Sequence, residues 1–274
     1  MASPLLYPGQ QIKVIVRAEK GNTASVVARL RLKAYGPSDS LHNIDSPSVT
    51  IQAGQEEIIK STIPGNLDSQ PIQKVGLALS VPKGHLDGIV WLDSLSWSGI
   101  PRLTVKRPSN APGQLWHRAW INGVNYFHHV NPTDPFHIGQ DHGEGIISYG
   151  TREWTDYRVI VPRLVVHLGA TAGVAVRVQG LNRYYSLVFV NGNRVAIVEA
   201  QDDKRTELVS AAFDWKLDAT YEVAVTVQGN IIKSFITGGP SLETTDASYC
   251  GGGIGLVVTN GAVSANQFDV SPLD

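Results

Sequence analysis

The chain has 274 residues, 42% hydrophobic and 17% charged, which excludes a disordered polypeptide and leaves room for one large or two medium β domains. The net charge is −1, and the Lys and Arg residues are scattered without the continuous basic footprint that neutralises phosphates, so nucleic acid is excluded as a partner. No apolar run approaches the roughly 20 residues that span a bilayer, so no membrane segment is expected.

From the N-terminus, "MASPLLYPGQ" lacks a basic region followed by a long apolar one, and the lone Cys250 has no internal disulfide partner. Together they predict a reducing, cytoplasmic setting. Apolar residues then alternate with period two in "QIKVIVRA", "VVARLRLKAY", "IQKVGLALSV" and "DGIVWLDSLSW", each run bounded by Gly, Pro, Asn, Asp or Ser. These are strands. In the last of them, strict alternation puts Trp91, Asp93, Leu95 and Trp97 on one face. One more short strand follows, and then the cluster Pro108 to Gly113, which reads as a linker.

Beyond the linker, strands are predicted in "TDYRVIVPRL", "AGVAVRVQG", "YYSLVFVNG", "NRVAIVEAQ", "YEVAVTVQG", "NIIKSFITGG", "GGIGLVVTN" and "AVSANQFDVS". The turns "VNGNR" and "VQGN" place Asn and Gly between alternating runs, where positive φ is needed for a tight hairpin. No stretch has a helical period. The expectation is an all-β protein of two β-sandwich or jelly-roll domains, residues 1–107 and 114–274, joined by 108–113.

The segment "DGIVWLDSLSWSGIP" resembles the last strand of galactose-binding-like jelly rolls, and "GTREWTDYRVIVPRLVVHLGATAGVAVRVQGLNRYYSLVF" resembles a concanavalin-type (laminin G-like) sandwich of sugar-binding modules. Nearly the whole chain, in this order, resembles the paired β-sandwich region behind the catalytic domain of some large ADP-ribosylglycohydrolase-family proteins. No helical glycohydrolase domain is present, so that hydrolysis does not carry over. A stand-alone pair is also similar in overall form to fungal cofactor-free hetero-Diels–Alderases, which join a tropolone-derived quinone methide to a humulene-type terpene in secondary metabolism. That resemblance implies small hydrophobic substrates and no cofactor.

The stretch "NYFHHVNPTDPFHIGQDHGEG" gathers four of the eight histidines beside Asp134, Asp141 and Glu144. Adjacent His128 and His129 point to opposite faces of an extended chain, and the spacing fits no metal-ligand class, so no metal is expected. The aromatic residues Trp116, Trp120, Tyr126, Phe136 and Trp154 surround this stretch; they line a ligand pocket or plug the open end of a sandwich. On "AGVAVRVQG", alternation pairs Arg177 with Gln179 opposite the core face, beside Tyr184 and Tyr185 of the next strand; the alternative is an arginine paired with a carboxylate such as Glu199. No nucleophile elbow, phosphate loop or dinucleotide fingerprint occurs.

Two functions follow as expectations. In the first, a cofactor-free cycloaddition enzyme holds its substrates against Trp116, Trp120, Tyr126, Phe136, Trp154, Gln179 and Tyr184. Arg177 polarises a carbonyl, and His128, His129 or Tyr185 supplies a general acid. In the second, the chain is a non-catalytic pair of carbohydrate-binding modules.

Overall fold

A computed structural model describes residues 6–36, 38, 40–65, 67, 71–82, 87–99, 101–108, 115–128, 134–169 and 171–273. Among the described residues its regular elements are strands and short 3-10 turns, one of them at Leu115–Ala119. The chain divides into two compact units, Met1–Gly99 with Pro108–Trp116, and Ile100–Arg107 with His117–Asp274.

In the first unit, Gln11–Ala18 lies between Glu56–Thr62 and Val90–Ser98, and Val26–Tyr35 pairs with Leu41–Asp45, Val49–Ile51 and Ile72–Ser80. Alternation works here as the sequence dictates. Ile12, Val14, Val16 and Ala18 from one sheet bury against Ala28, Leu30, Leu32 and Ala34 from the other. Strict alternation fails in Val90–Ser98, where the register shifts between Ile15 and Val16: Ser94 faces Ile15, Leu92 faces Val16, and Asp93 is the extra residue. The bulge leaves Trp91 and Asp93 facing outward beside Arg17, while Leu95 and Trp97 pack on the core.

The second unit begins before the expected linker. Leu103–Lys106 pairs with Gln267–Pro272, setting buried Val105 opposite Phe268, so this strand belongs with the second sandwich and not, as the sequence boundary at 107 has it, with the first. Residues 109–113 of the expected linker lie outside the described residues. One continuous hydrogen-bonded path runs through Lys204–Ala212, Arg194–Gln201, Arg183–Val190, Thr171–Gly180, Gly253–Ala265, Tyr157–Leu168, Thr220–Gln228, Ile231–Ile236 and Ser241–Thr245.

Gly253–Ala265 connects the two layers. Its first half pairs with Thr171–Gly180 and its second half with Leu164 to Leu168, while Phe136–Tyr149 follows it along both halves. The sequence reading breaks this strand at Asn260-Gly261; the chain instead bends there, with Asn260 at φ 47°, and the turn falls at Asn266, before Gln267–Pro272. The pairing of Phe136–Tyr149 is interrupted at the same level, between Gln140 and Glu144. A strand pair that changes sheets needs such a bend.

The outer face of the sheet around Thr171–Gly180 is closed. Ile146, Ala175, Tyr184, Val188, Ala196 and Val257 form a buried apolar cluster there. Arg177 sits at φ 50° in a register irregularity, and past it the hairpin tip curls toward Phe136–Tyr149. Leu181 reaches so close to Gly123 that a Cβ on that glycine would lie 2.8 Å from Leu181 Cδ2. Tyr184 donates its hydroxyl to Glu144, and Arg205 Nη2 donates to the same carboxylate at 2.6 Å. The small side chains Ala175 and Ala196 allow this curvature, and the face fills itself.

Candidate functional site

The histidine-rich stretch is strand where the structure describes it: Tyr126–His128 pairs with Phe136–Tyr149, setting Tyr126 opposite Gly139 and His128 opposite His137. His129 and the side chain of His128 lie outside the described residues. Nearby, the aromatic residues divide. Trp120 packs against Phe136 at 4.9 Å between ring centroids, Tyr149 at 5.2 Å and Phe268 at 5.5 Å, and Trp154 sits edge-on to Tyr149 and Tyr157. These rings are buried and pack on one another, the arrangement expected of a plug at the end of a sandwich. Trp116, buried too, groups with the first unit.

Tyr126 is the exception, 46% exposed. Its ring lies over Gly139, where a Cβ would meet Tyr126 Cδ2 at 3.4 Å, an ordinary van der Waals distance. Its hydroxyl hydrogen-bonds the Asp141 carboxylate, which raises the phenol's pKa above the ordinary value. Around the ring opens a depression of about 390 Å³ lined also by His137, Gln140, Asp141, Leu168, Asn260 and the Gly261–Ala262 backbone. The strand bend builds this rim. Gly143 N–H donates to Asn260 Oδ1 at 2.7 Å, Asn125 N–H to Gln140 Oε1 at 3.0 Å, and Asp141 N–H to Asn125 Oδ1 at 3.0 Å.

His137 is oriented from behind. Its ring stacks on His167 at 5.0 Å, and His167 is fixed by Asp218 at 2.7 Å from Nδ1 and Ser264 at 2.8 Å from Nε2. Asp218 only accepts, so Nδ1–H donates to it, and Nε2 shares a hydrogen bond with the Ser264 hydroxyl. The connectivity is that of a nucleophile triad. Ser264, however, is fully buried between paired strands, so its hydroxyl serves to position the His167 imidazole. Among the described residues, no group of three or more His, Cys, Asp and Glu is placed to hold a metal ion.

The residues expected around Arg177 lie elsewhere. The side chain of Arg177 is 1% exposed; Nη1 donates to Tyr249 O at 2.8 Å, and Nη2 reaches Thr155 O at 3.4 Å and Asp156 Oδ1 at 3.3 Å. Its backbone N–H donates to Tyr157 Oη at 2.7 Å. The bulge at its positive φ breaks the alternation that grouped it with Gln179, and the guanidinium ties three segments together; its carboxylate partner is Asp156, not Glu199. Gln179 donates to Gly251 O at 2.8 Å. Tyr185 is buried, donates to Asp246 and accepts from Tyr249 N at 3.1 Å. Burial, then the Asp246 bond, pushes its hydroxyl pKa well up, and burial with Glu144 does the same for Tyr184.

Sequence reasoning missed Leu168, Gln140 and Asn260. The Asn260-Gly261 pair carried a signal for positive φ, but it read as the end of a strand.

No protein-family model matches the chain, and no curated protein matches it by sequence. Among solved structures, it is similar to a carbohydrate-binding module, CBM66, from Bacillus subtilis, with 10% identity over 56% of this chain and 95% of that one and a TM-score of 0.51. A protein of unknown function with a galectin-like fold, also from Bacillus subtilis, matches at 11% identity over 58% of this chain and 92% of that one, with a TM-score of 0.46. At such identities the likeness to CBM66 is one of β-sandwich fold.

Proposed function

We propose that the second unit is a carbohydrate-binding module and that the Tyr126 depression is its binding site. The observation that supports this reading is an exposed, immobilised aromatic ring in an open depression beside Gln140, Asp141 and Asn260. A sugar ring presents an apolar C–H face and a rim of hydroxyls. Tyr126 offers the flat apolar surface, Leu168 offers apolar contact from the neighbouring strand, and the carboxylate, amides and His137 offer hydrogen-bond partners around it. The likeness to a sandwich known as a carbohydrate-binding module agrees with the reading.

The cycloaddition reading drew its carbonyl-polarising donor from Arg177, and that guanidinium is committed to Tyr249, Thr155 and Asp156. An open depression also leaves water in place, whereas that chemistry gains most in a dry cavity.

The test is calorimetric titration of the full chain with neutral oligosaccharides of glucose, xylose, mannose, galactose and fructose. At least one should bind, and Tyr126→Ala should weaken it tenfold or more, about 1.4 kcal/mol, with the far-ultraviolet spectrum unchanged. Tyr126→Phe, which keeps the ring, should retain most of the affinity. Binding of none of these sugars, or wild-type affinity in Tyr126→Ala, would overturn the assignment.

A further inference from the structure

We propose a second saccharide site on the first unit, a stacking platform at Trp91. This inference goes beyond the Tyr126 site and stands on separate residues in a separate unit. Trp91 lies on Val90–Ser98, the edge of its three-stranded sheet, and is 45% exposed. A large apolar side chain this exposed is ordinarily free to change rotamer. This one is held.

The indole Nε1–H donates to Glu19 Oε2 at 3.0 Å, and the Arg17 guanidinium lies over the ring at 5.8 Å from the centroid. Arg17 is itself anchored, its Nε donating to Asp93 Oδ2 at 3.3 Å and its Nη1 lying 3.7 Å from Glu19 Oε2. The bulge at Asp93 makes this possible, because it parts Trp91 and Asp93 from the core-facing Leu95 and Trp97 and leaves them on the side of Arg17. The Trp91 hydrogen bond, with the Lys20 N–H, holds the Glu19 carboxyl below its ordinary range, so it accepts as a carboxylate. Polar contacts thus fix the ring without burying it.

Such a ring is preorganised for stacking, because the entropy of fixing its rotamer is spent before a ligand arrives. The surrounding chemistry selects the ligand. Among the described residues Asp93 Oδ1 and Arg17 Nη2 take part in no hydrogen bond, and Arg17, 5.8 Å from the ring centroid, and its partner Asp93 leave a donor and an acceptor beside the indole for the hydroxyls of a stacked sugar. Two carboxylates, Glu19 and Asp93, offset the charges of Arg17 and the neighbouring Lys20, so the patch carries no net positive charge to draw an acidic saccharide. A neutral pyranose oligosaccharide, its C–H face on the indole, is the class this platform fits. Its position at a sheet edge lets a longer glycan continue past the last strand.

The tryptophans offer their own readout. Trp116, Trp120, Trp154 and Trp215 are buried and Trp97 is partly buried against the core, so quenching of fluorescence by aqueous iodide acts most on Trp91, and its loss in Trp91→Phe separates that signal from Trp97. The full chain is titrated with cellotetraose, xylotetraose, mannotetraose and galactotetraose, with polygalacturonate as the charged control. The expected result is that at least one neutral tetrasaccharide protects the exposed tryptophan from iodide in wild type and in Tyr126→Ala. Trp91→Phe should bind within about threefold of wild type by calorimetry in the Tyr126→Ala background, and Trp91→Ala should lose tenfold or more. Arg17→Met should weaken binding while leaving the unfolding midpoint near wild type. Four results would overturn the proposal: no protection by any neutral tetrasaccharide, equal protection by polygalacturonate, loss of protection in Tyr126→Ala alone, or protection caused by self-association that Trp91→Ala abolishes. Protection that persists in Tyr126→Ala while calorimetry at Tyr126 fails would leave the platform standing and remove only the other site.

Discussion

Replacing Arg177 with Met separates a structural arginine from a functional one. The side chain is 1% exposed, and its strongest contact is the 2.8 Å donation to the buried Tyr249 carbonyl. Leaving that acceptor without a partner costs about 1–3 kcal/mol. The contacts to Thr155 O at 3.4 Å and Asp156 at 3.3 Å are long, and Asp156 is 45% exposed, so water replaces much of what they supply and they add less than about 1 kcal/mol. Against this, Arg177 Nε is buried with no hydrogen-bond partner, and Met removes that orphaned donor while filling much of the same volume. The net loss is about 2 kcal/mol, or a melting point lowered by about 4–8 °C for a unit of this size. Denaturant titration should show a lower midpoint with an unchanged slope, and saccharide affinity at Tyr126 should stay within about twofold. Asp156→Asn, with its carboxylate half in solvent, should shift stability by less than about 1 kcal/mol. An Arg177→Met protein with wild-type stability but collapsed ligand binding or turnover would refute this account and return Arg177 to a site.

Two further outcomes follow from the same unit. Trp120→Ala removes the ring at the centre of the Phe136, Tyr149 and Phe268 packing and should cost about 3–5 kcal/mol in a thermal or denaturant melt; a loss below about 1 kcal/mol would mean the ring plugs nothing. Burial raises the hydroxyl pKa of Tyr157, Tyr184 and Tyr185, so an ultraviolet titration at pH 11 should leave these phenols protonated in the folded chain and ionise them once it is unfolded. Because the folded values lie above the unfolded value near 10, the stability they contribute is fully present below pH 10. It is lost as pH climbs from there through the raised folded values. Full ionisation of all nine tyrosines at pH 11 without unfolding would contradict it.

The sequence by itself determined the all-β class and most strand positions, because a half-buried strand needs only local alternation: "QIKVIVRA" and "VVARLRLKAY" are strands from first residue to last. It also pointed to the neighbourhood of the Tyr126 depression, since Tyr126, His137 and Asp141 lie in the stretch that composition singled out. What it left open was which aromatic residues are core, because ring type says nothing of burial; Trp120 and Tyr126, six positions apart, end up buried and exposed. Only the tertiary structure decided three irregularities: the bulge at Asp93, the positive φ at Arg177 and the bend at Asn260. Each shifts side-chain direction by one residue, and in a strand that exchanges the two faces. Period-two reading therefore placed Arg177 beside Gln179 and Trp91 with Trp97, while the folded chain turns Arg177 into a strut and Trp91 out to solvent. Such bends arise where strands cross between sheets or where a sheet curls on itself, and both depend on partners far away in the chain.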